Sequence, residues 1–184
     1  MKNSLFFGKI SAKNLAFTAL FAALCCIGTL VIAIPLPNGY FNVGDVFVLL
    51  AGWCLGPIFG SIAAGIGSAL ADIISGYTLY ALPTFFIKGI DAFVAYMVWA
   101  FLKKIIKKEG ADVLPRALSA LAGESIMVLG YFLFELVLYG FGGAILAVVG
   151  NLTQGVCATI CAVLIISILY PIKAIKNLFP ALKR

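Results

Sequence analysis

Histidine is absent from this chain of 184 residues, and only 11% of its residues are charged. Soluble domains carry about a quarter charged residues, so this composition excludes an ordinary soluble protein. Without histidine the sequence offers no metal triad and no nucleophile activated by an imidazole. The phosphate-binding pattern GxxxxGK[ST] is also missing, so the chain cannot hydrolyse ATP through a P-loop. We therefore predict that the protein is not an enzyme and carries no cofactor.

The five cysteines follow none of the spacings typical of metal sites, and the pattern CxxC does not occur. All five lie in apolar runs. Cys157 and Cys161 share a helix face at i,i+4, but neither histidine nor a carboxylate lies beside them. We therefore interpret the cysteines as small packing residues rather than as ligands or a redox pair.

Long apolar runs fill most of the chain, which is 64% hydrophobic and has a mean hydropathy of +1.15. A crossing helix needs roughly 20 apolar residues, so this length allows about six crossings with short loops. The runs are continuous, which favours helices over an outer-membrane barrel. We predict an all-α integral membrane protein in which residues 1–184 form a single bundle of six transmembrane helices. The predicted spans are 14–34, 45–55, 58–75, 84–102, 117–139 and 144–170.

Basic residues flank the predicted spans on one side. Three precede the first span, five lie between the fourth and the fifth, and four follow the sixth, so twelve of the 13 share one side. The positive-inside rule then places both the N-terminus and the C-terminus in the cytoplasm. This distribution accounts for the net charge of +6, and we predict no nucleic-acid partner. The exception is Lys88. It either has a role in function or is a lysine whose side chain extends to the membrane interface.

Polar residues inside the spans fall mostly in the outer half of this topology. Asp45 begins the second span and Asp72 ends the third, while Lys88 and Asp91 lie three apart on one helix face and can pair. A charge facing lipid costs a few kcal/mol, so these groups should face inward and line a cavity for a small polar molecule. A self-satisfied network without a ligand is the alternative. The candidate binding residues are Tyr40, Asn42, Lys88, Asp91, Tyr131, Glu135, Asn151 and Gln154.

Aromatic residues gather at the same level, which suits an aromatic ligand with polar substituents. Tyrosine also collects at any membrane interface, so this signal is not specific. Glu124 lies deeper in the fifth span. We predict a buried hydrogen bond for it, and a proton or ion path through Glu124 and Glu135 is the alternative.

Small residues mark one face of the first span. Ala12 and Ala16 are four apart, as are Ala19 and Ala23, so another backbone can approach closely there. Packing inside the bundle and docking of a second protein are both compatible with this face.

Four motifs are similar to those of a known family. They are an AxxxA pattern in the first span, LGPxxGxxxxxxGSxLxD from Leu55 to Asp72, FxxKG from Phe85 to Gly89, and GNxxQG from Gly150 to Gly155. With six short spans, the whole chain resembles the substrate-binding S components of energy-coupling factor (ECF) vitamin transporters. The resemblance is strongest for the riboflavin, hydroxymethylpyrimidine and pyridoxine carriers.

The resemblance implies a function and a set of partners. S components capture a vitamin from outside, under the loop between the first two spans, and associate with a transmembrane T component and two cytoplasmic ATPases. The docking face for the T component would be Ala19 and Ala23, extended by Ala12 and Ala16. We expect a multi-pass protein of the bacterial cell membrane.

The excess of acidic over basic residues at the predicted site bears on the substrate. It favours a neutral or weakly basic ring, so a hydroxymethylpyrimidine or pyridoxine-like vitamer is the first choice and riboflavin the next. Pantothenate remains open because Lys88 could meet its carboxylate. The alternatives to a capture subunit are a membrane scaffold of the cell-elongation type, which binds no ligand, and a stand-alone carrier.

Overall fold

The computed structural model of the chain describes residues 10–36, 39–106 and 112–183, and most of these are helical. Helices and apolar composition together confirm an all-α membrane protein. The elements in chain order are α1 (Ala12–Val31), β1 (Ala33–Leu36), β2 (Gly39–Asn42), α2 (Gly44–Leu55), α3 (Pro57–Ile74), α4 (Thr78–Ile105), α5 (Val113–Leu169), α6 (Lys173–Leu178) and a short 3-10 helix (Pro180–Lys183).

Four of the described helices, α1, α3, α4 and α5, are long and apolar enough to cross a membrane. The longest, α5, has 57 residues and is broken at Gly140, where φ is 69° and ψ is −179°. Glycine adopts such a positive φ without steric cost. Glu124 lies against Gly155 on the other side of the break. The halves 113–139 and 141–169 therefore fold back on each other as a helical hairpin.

Two helices begin earlier than the sequence predicts. The fourth predicted span starts at Thr84 and the fifth at Ala117, but α4 begins at Thr78 and α5 at Val113. Pro115 is the third residue of α5, where a backbone amide has no partner within the helix, whereas Pro83 lies inside α4.

The segment between α1 and α2 forms a strand pair that the sequence did not predict. Its prolines and glycine exclude a helix, as expected, but β1 and β2 also pair in antiparallel register, with Ala33 opposite Asn42 and Pro35 opposite Tyr40. We call residues 33–42 the β-hairpin. It covers one end of the helix bundle, and the start of α1 lies beside residues 178–181 at the other.

Small residues let α3 approach its neighbours closely. A Cβ atom added at Gly67 would lie 2.2 Å from the carbonyl oxygen of Ala22 in α1, and one added at Gly65 would lie 2.6 Å from that of Phe85 in α4. Real Cβ atoms do not come this close to backbone oxygens. Glycine at these positions is therefore needed for the α1–α3 and α3–α4 contacts.

Replacing Gly67 by alanine should destabilise the protein. The new methyl group meets a backbone carbonyl that cannot move without shifting α1, and such overpacking costs about 1–3 kcal/mol. Thermal unfolding of the detergent-purified variant should therefore show a lower midpoint. The matched control is Gly89→Ala, because a Cβ there would lie at an ordinary 3.4 Å from the nearest atom, the Ser61 carbonyl oxygen. Equal midpoints for the two variants would contradict the packing argument.

A buried arginine, Arg116, packs at the end of the bundle opposite the β-hairpin. Arg116 is fully buried, and its guanidinium carbon lies 4.6 Å from the ring centroid of Trp99 and 5.2 Å from that of Trp53. Guanidinium groups stack favourably on indole rings. Leu182, near the C-terminus, is fully buried in the same core. The last residues of the described chain therefore close this end of the bundle.

Candidate functional site

A polar cavity lies beneath the β-hairpin. Its volume is about 50 Å³. The residues that line it come from α1, the β-hairpin, α3, α4 and both halves of α5, and they are Thr29, Tyr40, Asn42, Ser68, Asp72, Tyr77, Tyr80, Thr84, Lys88, Tyr131, Glu135, Asn151 and Gln154.

An ion pair and one amide join four elements at the floor of the cavity. Lys88 of α4 pairs with Asp45 at the start of α2, and both side chains are buried. Gln154 of α5 donates from Nε2 to the other oxygen of Asp45 at 2.6 Å. Its own oxygen accepts the backbone N–H of Asn42, in the β-hairpin, at 2.8 Å. Because each buried polar group here has a partner, the network holds the hairpin, α2, α4 and α5 in one arrangement.

The local sequence explains how α2 presents Asp45 to this network. Asn42 is the last residue of β2. Its side-chain oxygen accepts a hydrogen bond of 2.9 Å from the N–H of Gly44, the first residue of α2. Asp45 therefore stands in the first turn of the helix, where the helix dipole favours a carboxylate.

Tyr40 fastens the β-hairpin to α3. Its hydroxyl donates to Oδ1 of Asp72 at 2.7 Å, and its ring centroid lies 5.1 Å from that of Tyr77. Burial, and then the neighbouring Asp72 carboxyl, raise the pKa of Tyr40 above its usual value. The hydroxyl therefore stays protonated and remains a donor. The other oxygen of Asp72 is buried and has no hydrogen-bond partner within the described ranges.

Tyrosine hydroxyls also order the opposite wall. Tyr131 and Thr84 share a hydrogen bond of 3.0 Å, and Lys88 lies 5.4 Å from the ring centroid of Tyr131. Tyr80 makes a long contact of 3.4 Å to Glu135. The cavity thus combines aromatic faces with carboxyl oxygens, a pattern that accepts a ring carrying hydrogen-bond donors.

Removing the Tyr40 hydroxyl should weaken ligand capture. A hydrogen bond to a charged group contributes about 1.5–3 kcal/mol, so Tyr40→Phe should reduce affinity about tenfold or more by loosening the β-hairpin. Calorimetric titration measures this change. Tyr77→Phe is the control, since it keeps the ring that packs on Tyr40, and its affinity should stay near that of the wild type. Equal losses of affinity in both variants would show that the hydrogen bond from Tyr40 to Asp72 does not determine the affinity.

The structure brings seven of the eight predicted binding residues to one cavity. They are Tyr40, Asn42, Lys88, Tyr131, Glu135, Asn151 and Gln154. Asp91 is the exception, since it lies fully buried in the bundle and does not line the cavity. Their role in binding remains a prediction.

The Lys88–Asp91 pair that the spacing allows does not form. Lys88 binds Asp45, which is 43 residues away in the chain, and neither oxygen of Asp91 has a hydrogen-bond partner in the described chain. Spacing along α4 brought Lys88 and Asp91 to one face, but the start of α2 approaches that face and supplies a nearer carboxylate. The buried hydrogen bond predicted for Glu124 is wrong, because both of its oxygens are without a partner among residues 10–36, 39–106 and 112–183.

Several lining residues were missed by the sequence analysis as binding candidates. Asp72, Tyr77 and Tyr80 were noted only as an intramembrane charge and as aromatics. Single hydroxyl residues in apolar helices give no periodic signal, because such side chains often bond to their own helix. The lining residues of this kind are Thr29, Ser68 and Thr84.

The four alanines predicted as a docking face lie on the surface. Ala12, Ala16, Ala19 and Ala23 are all exposed along α1. The described residues hold no group of three or more histidine, cysteine or acidic side chains placed to bind a metal ion.

Apolar helices around a polar cavity define the class of this molecule, a multi-pass helical membrane protein with an internal polar cavity. The chain belongs to the family described as "ECF-type riboflavin transporter, S component", whose model matches residues 9–171. The family is a transporter component and not an enzyme family, and the resemblance seen in the sequence is confirmed. A protein of Pyrococcus woesei described as "Uncharacterized protein in gap 3'region" is 37% identical over 136 residues, which cover 73% of this chain and 86% of that protein.

Proposed function

We propose that this protein captures a water-soluble vitamin from outside the cell in the cavity beneath the β-hairpin. The observation that supports this most is the cavity itself, because aromatic and polar residues from α1, the β-hairpin, α3, α4 and α5 converge on it. The family match gives the class of ligand, a vitamin.

We propose riboflavin as the ligand to test first. The family description names it, and its flat ring would suit a cavity walled by Tyr40, Tyr77, Tyr80 and Tyr131. Its hydroxyl chain would donate to carboxyl oxygens such as those of Asp72. Lys88 is committed to Asp45, so the site offers no free cation for an acidic ligand. Hydroxymethylpyrimidine and pyridoxine-like vitamers, favoured by the charge balance alone, are the second candidates, and pantothenate follows.

The proposed topology has six spans, in which α1, α2, α3, α4 and the two halves of α5 each serve as one. The short α2, with 12 residues, would cross only part of the bilayer. Both termini face the cytoplasm in this topology, because the basic residues flank the end opposite the cavity. The cavity then opens outward, in the cell membrane of a bacterium.

Uptake requires partners that supply energy, since the sequence has no P-loop. We propose a transmembrane T component with two cytoplasmic ATPases, and we assign docking of the T component to the exposed alanines of α1, which are Ala12, Ala16, Ala19 and Ala23. Small side chains permit the close helix contact that such a partner needs.

The decisive experiment is mass spectrometry of small molecules released by denaturing the detergent-purified protein, followed by calorimetric titration. A flavin recovered in stoichiometric amount supports riboflavin capture. Recovery of a pyrimidine or a pyridine would support the capture function and would show that the ligand is not riboflavin. No released molecule and no heat across a vitamin panel would overturn the proposal and favour a scaffold of the cell-elongation type. Uptake into vesicles without any ATPase partner would favour a stand-alone carrier.

A further inference from the structure

Two carboxyl groups lie below the cavity without any partner. Asp91 of α4 is 0% exposed and Glu124 of α5 is 3% exposed. None of their four oxygens makes a hydrogen bond within the described part of the chain. The cavity network does not use them, since Lys88 and Gln154 both bind Asp45 instead.

Glycines make room for these two carboxyls. A Cβ atom added at Gly123 would lie 2.3 Å from Oδ1 of Asp91, and one added at Gly155 would lie 3.0 Å from Cβ and 3.2 Å from Oε2 of Glu124. Any larger residue at either position would push a carboxyl out of place. Each half of α5 therefore has a glycine where a side chain would collide with one of the two carboxyl groups. Incidental burial of two acidic residues would not require these glycines.

The charges around the pair do not neutralise it. The ionisable groups that act on it electrostatically from the packed helices are Asp45 of α2, Lys88 of α4 and, for Asp91, Cys25 of α1. Lys88 is the one cation among them, and Asp45 already binds it. With all groups ionised, three carboxylates would share a single positive charge.

An ionised carboxylate without a donor costs several kcal/mol to bury, and a second one beside it costs more. Hard metal cations relieve such charge with about six oxygen ligands, but the described residues provide no group of three acidic ligands. A proton on each carboxyl removes the charge without further ligands. We propose that Asp91 and Glu124 form a proton site below the cavity, in which both are protonated at neutral pH.

Lys88 links this proton site to the cavity. It lies three residues before Asp91 on one face of α4, so an ionised Asp91 would compete with Asp45 for its ammonium group. Protonated Asp91 does not compete, and Lys88 stays in the network that holds the β-hairpin through Asp45 and Gln154. Deprotonation at alkaline pH should therefore loosen the cavity.

The test is infrared spectroscopy of the full-length protein at neutral pH, in water and in D₂O, without any ligand. We expect a carbonyl band of protonated carboxylic acid that shifts in D₂O and loses part of its intensity in Asp91→Asn and again in Glu124→Gln. Both amides match the size of a neutral acid, so these variants should unfold at the wild-type temperature. Asp112→Asn is the control, because Asp112 pairs with Lys103 at 2.9 Å and does not belong to the proposed site.

Three results would overturn the proton site. The first is the absence of a band of protonated carboxylic acid at neutral pH, and the second is a band that neither variant changes. The third is a band that disappears when the choline in the buffer is replaced by sodium, because this would indicate a bound cation. If the amide variants fail to fold, carbon-13 labelling of the aspartate carboxyl groups in the wild type should shift part of the protonated band, and a band that does not shift would contradict a protonated Asp91.

A second measurement connects the site with capture, and it rests on the proposed function. Riboflavin affinity of the wild type should fall at alkaline pH, by up to about tenfold per pH unit for each proton lost, while the double variant Asp91→Asn with Glu124→Gln should show a flat profile. A flat wild-type profile would overturn the link to capture. Since the infrared measurement needs no ligand, failure of the vitamin proposal and failure of the proton site are distinguishable.

Discussion

Replacing Lys88 by methionine is expected to lower the free energy of unfolding by about 3–5 kcal/mol and to abolish ligand capture. Methionine fills a similar volume, but it leaves Asp45 buried without its cation, and an unpaired buried charge carries that cost. The network that holds Asn42 through Gln154 also loses its anchor. Thermal unfolding in detergent measures the first effect, and calorimetric titration with riboflavin measures the second.

Two further variants isolate the buried charge as the cause. Lys103→Met removes a cation whose side chain is 21% exposed at the end of α4, so its loss should cost less than that of the buried Lys88. The double variant Lys88→Met with Asp45→Asn should regain most of the lost stability, because asparagine carries no charge and still accepts from Gln154. If Lys88→Met alone unfolds like the wild type, the ion pair does not stabilise this bundle.

Ala19→Trp should abolish uptake and leave riboflavin binding unchanged. Ala19 is exposed on α1, away from the residues that line the cavity, so an indole there should not disturb the site. It should, however, keep the backbone of a docking helix from approaching. The measurements are vesicle uptake with the T component and ATPases present, co-purification of those partners, and titration of the isolated variant.

The control for this prediction is a tryptophan on another exposed helix face. Leu164 in the second half of α5 is 59% exposed, and Leu164→Trp should transport normally. Glu135→Ala and Asn151→Ala give the complementary behaviour, since both residues line the cavity and their loss should weaken capture first. Equal loss of binding in Ala19→Trp and Glu135→Ala would contradict the separation of docking face and cavity.

The helices and the cavity wall could largely be predicted from the sequence. Uncharged apolar runs locate the long helices, and glycine marks the break at Gly140. Basic residues then sort the polar groups by depth. For seven residues, depth together with the cost of facing lipid was enough to assign them to one cavity.

Pairing between helices could not be predicted in the same way. The spacing of Lys88 and Asp91 is visible in the chain, whereas the approach of Asp45 depends on how α2 is rotated against α4. Close contacts such as that of Gly52 with the Ala92 carbonyl set this rotation, since a Cβ at Gly52 would lie 2.6 Å from that oxygen. Hydropathy carries no information about such contacts. The pairing of β1 with β2 escaped prediction for a similar reason, because prolines exclude a helix without indicating a strand.

The single-residue break at Gly140 has a consequence for biosynthesis. Between Glu135 and Lys173 the chain contains no charged residue, and the two halves of α5 are joined without a polar loop. A ribosome-bound chain can therefore insert both halves into the bilayer together, as one hairpin, without moving any ionised group from this turn to the far side. The turn itself therefore adds no cost of burying charge to the insertion of this hairpin.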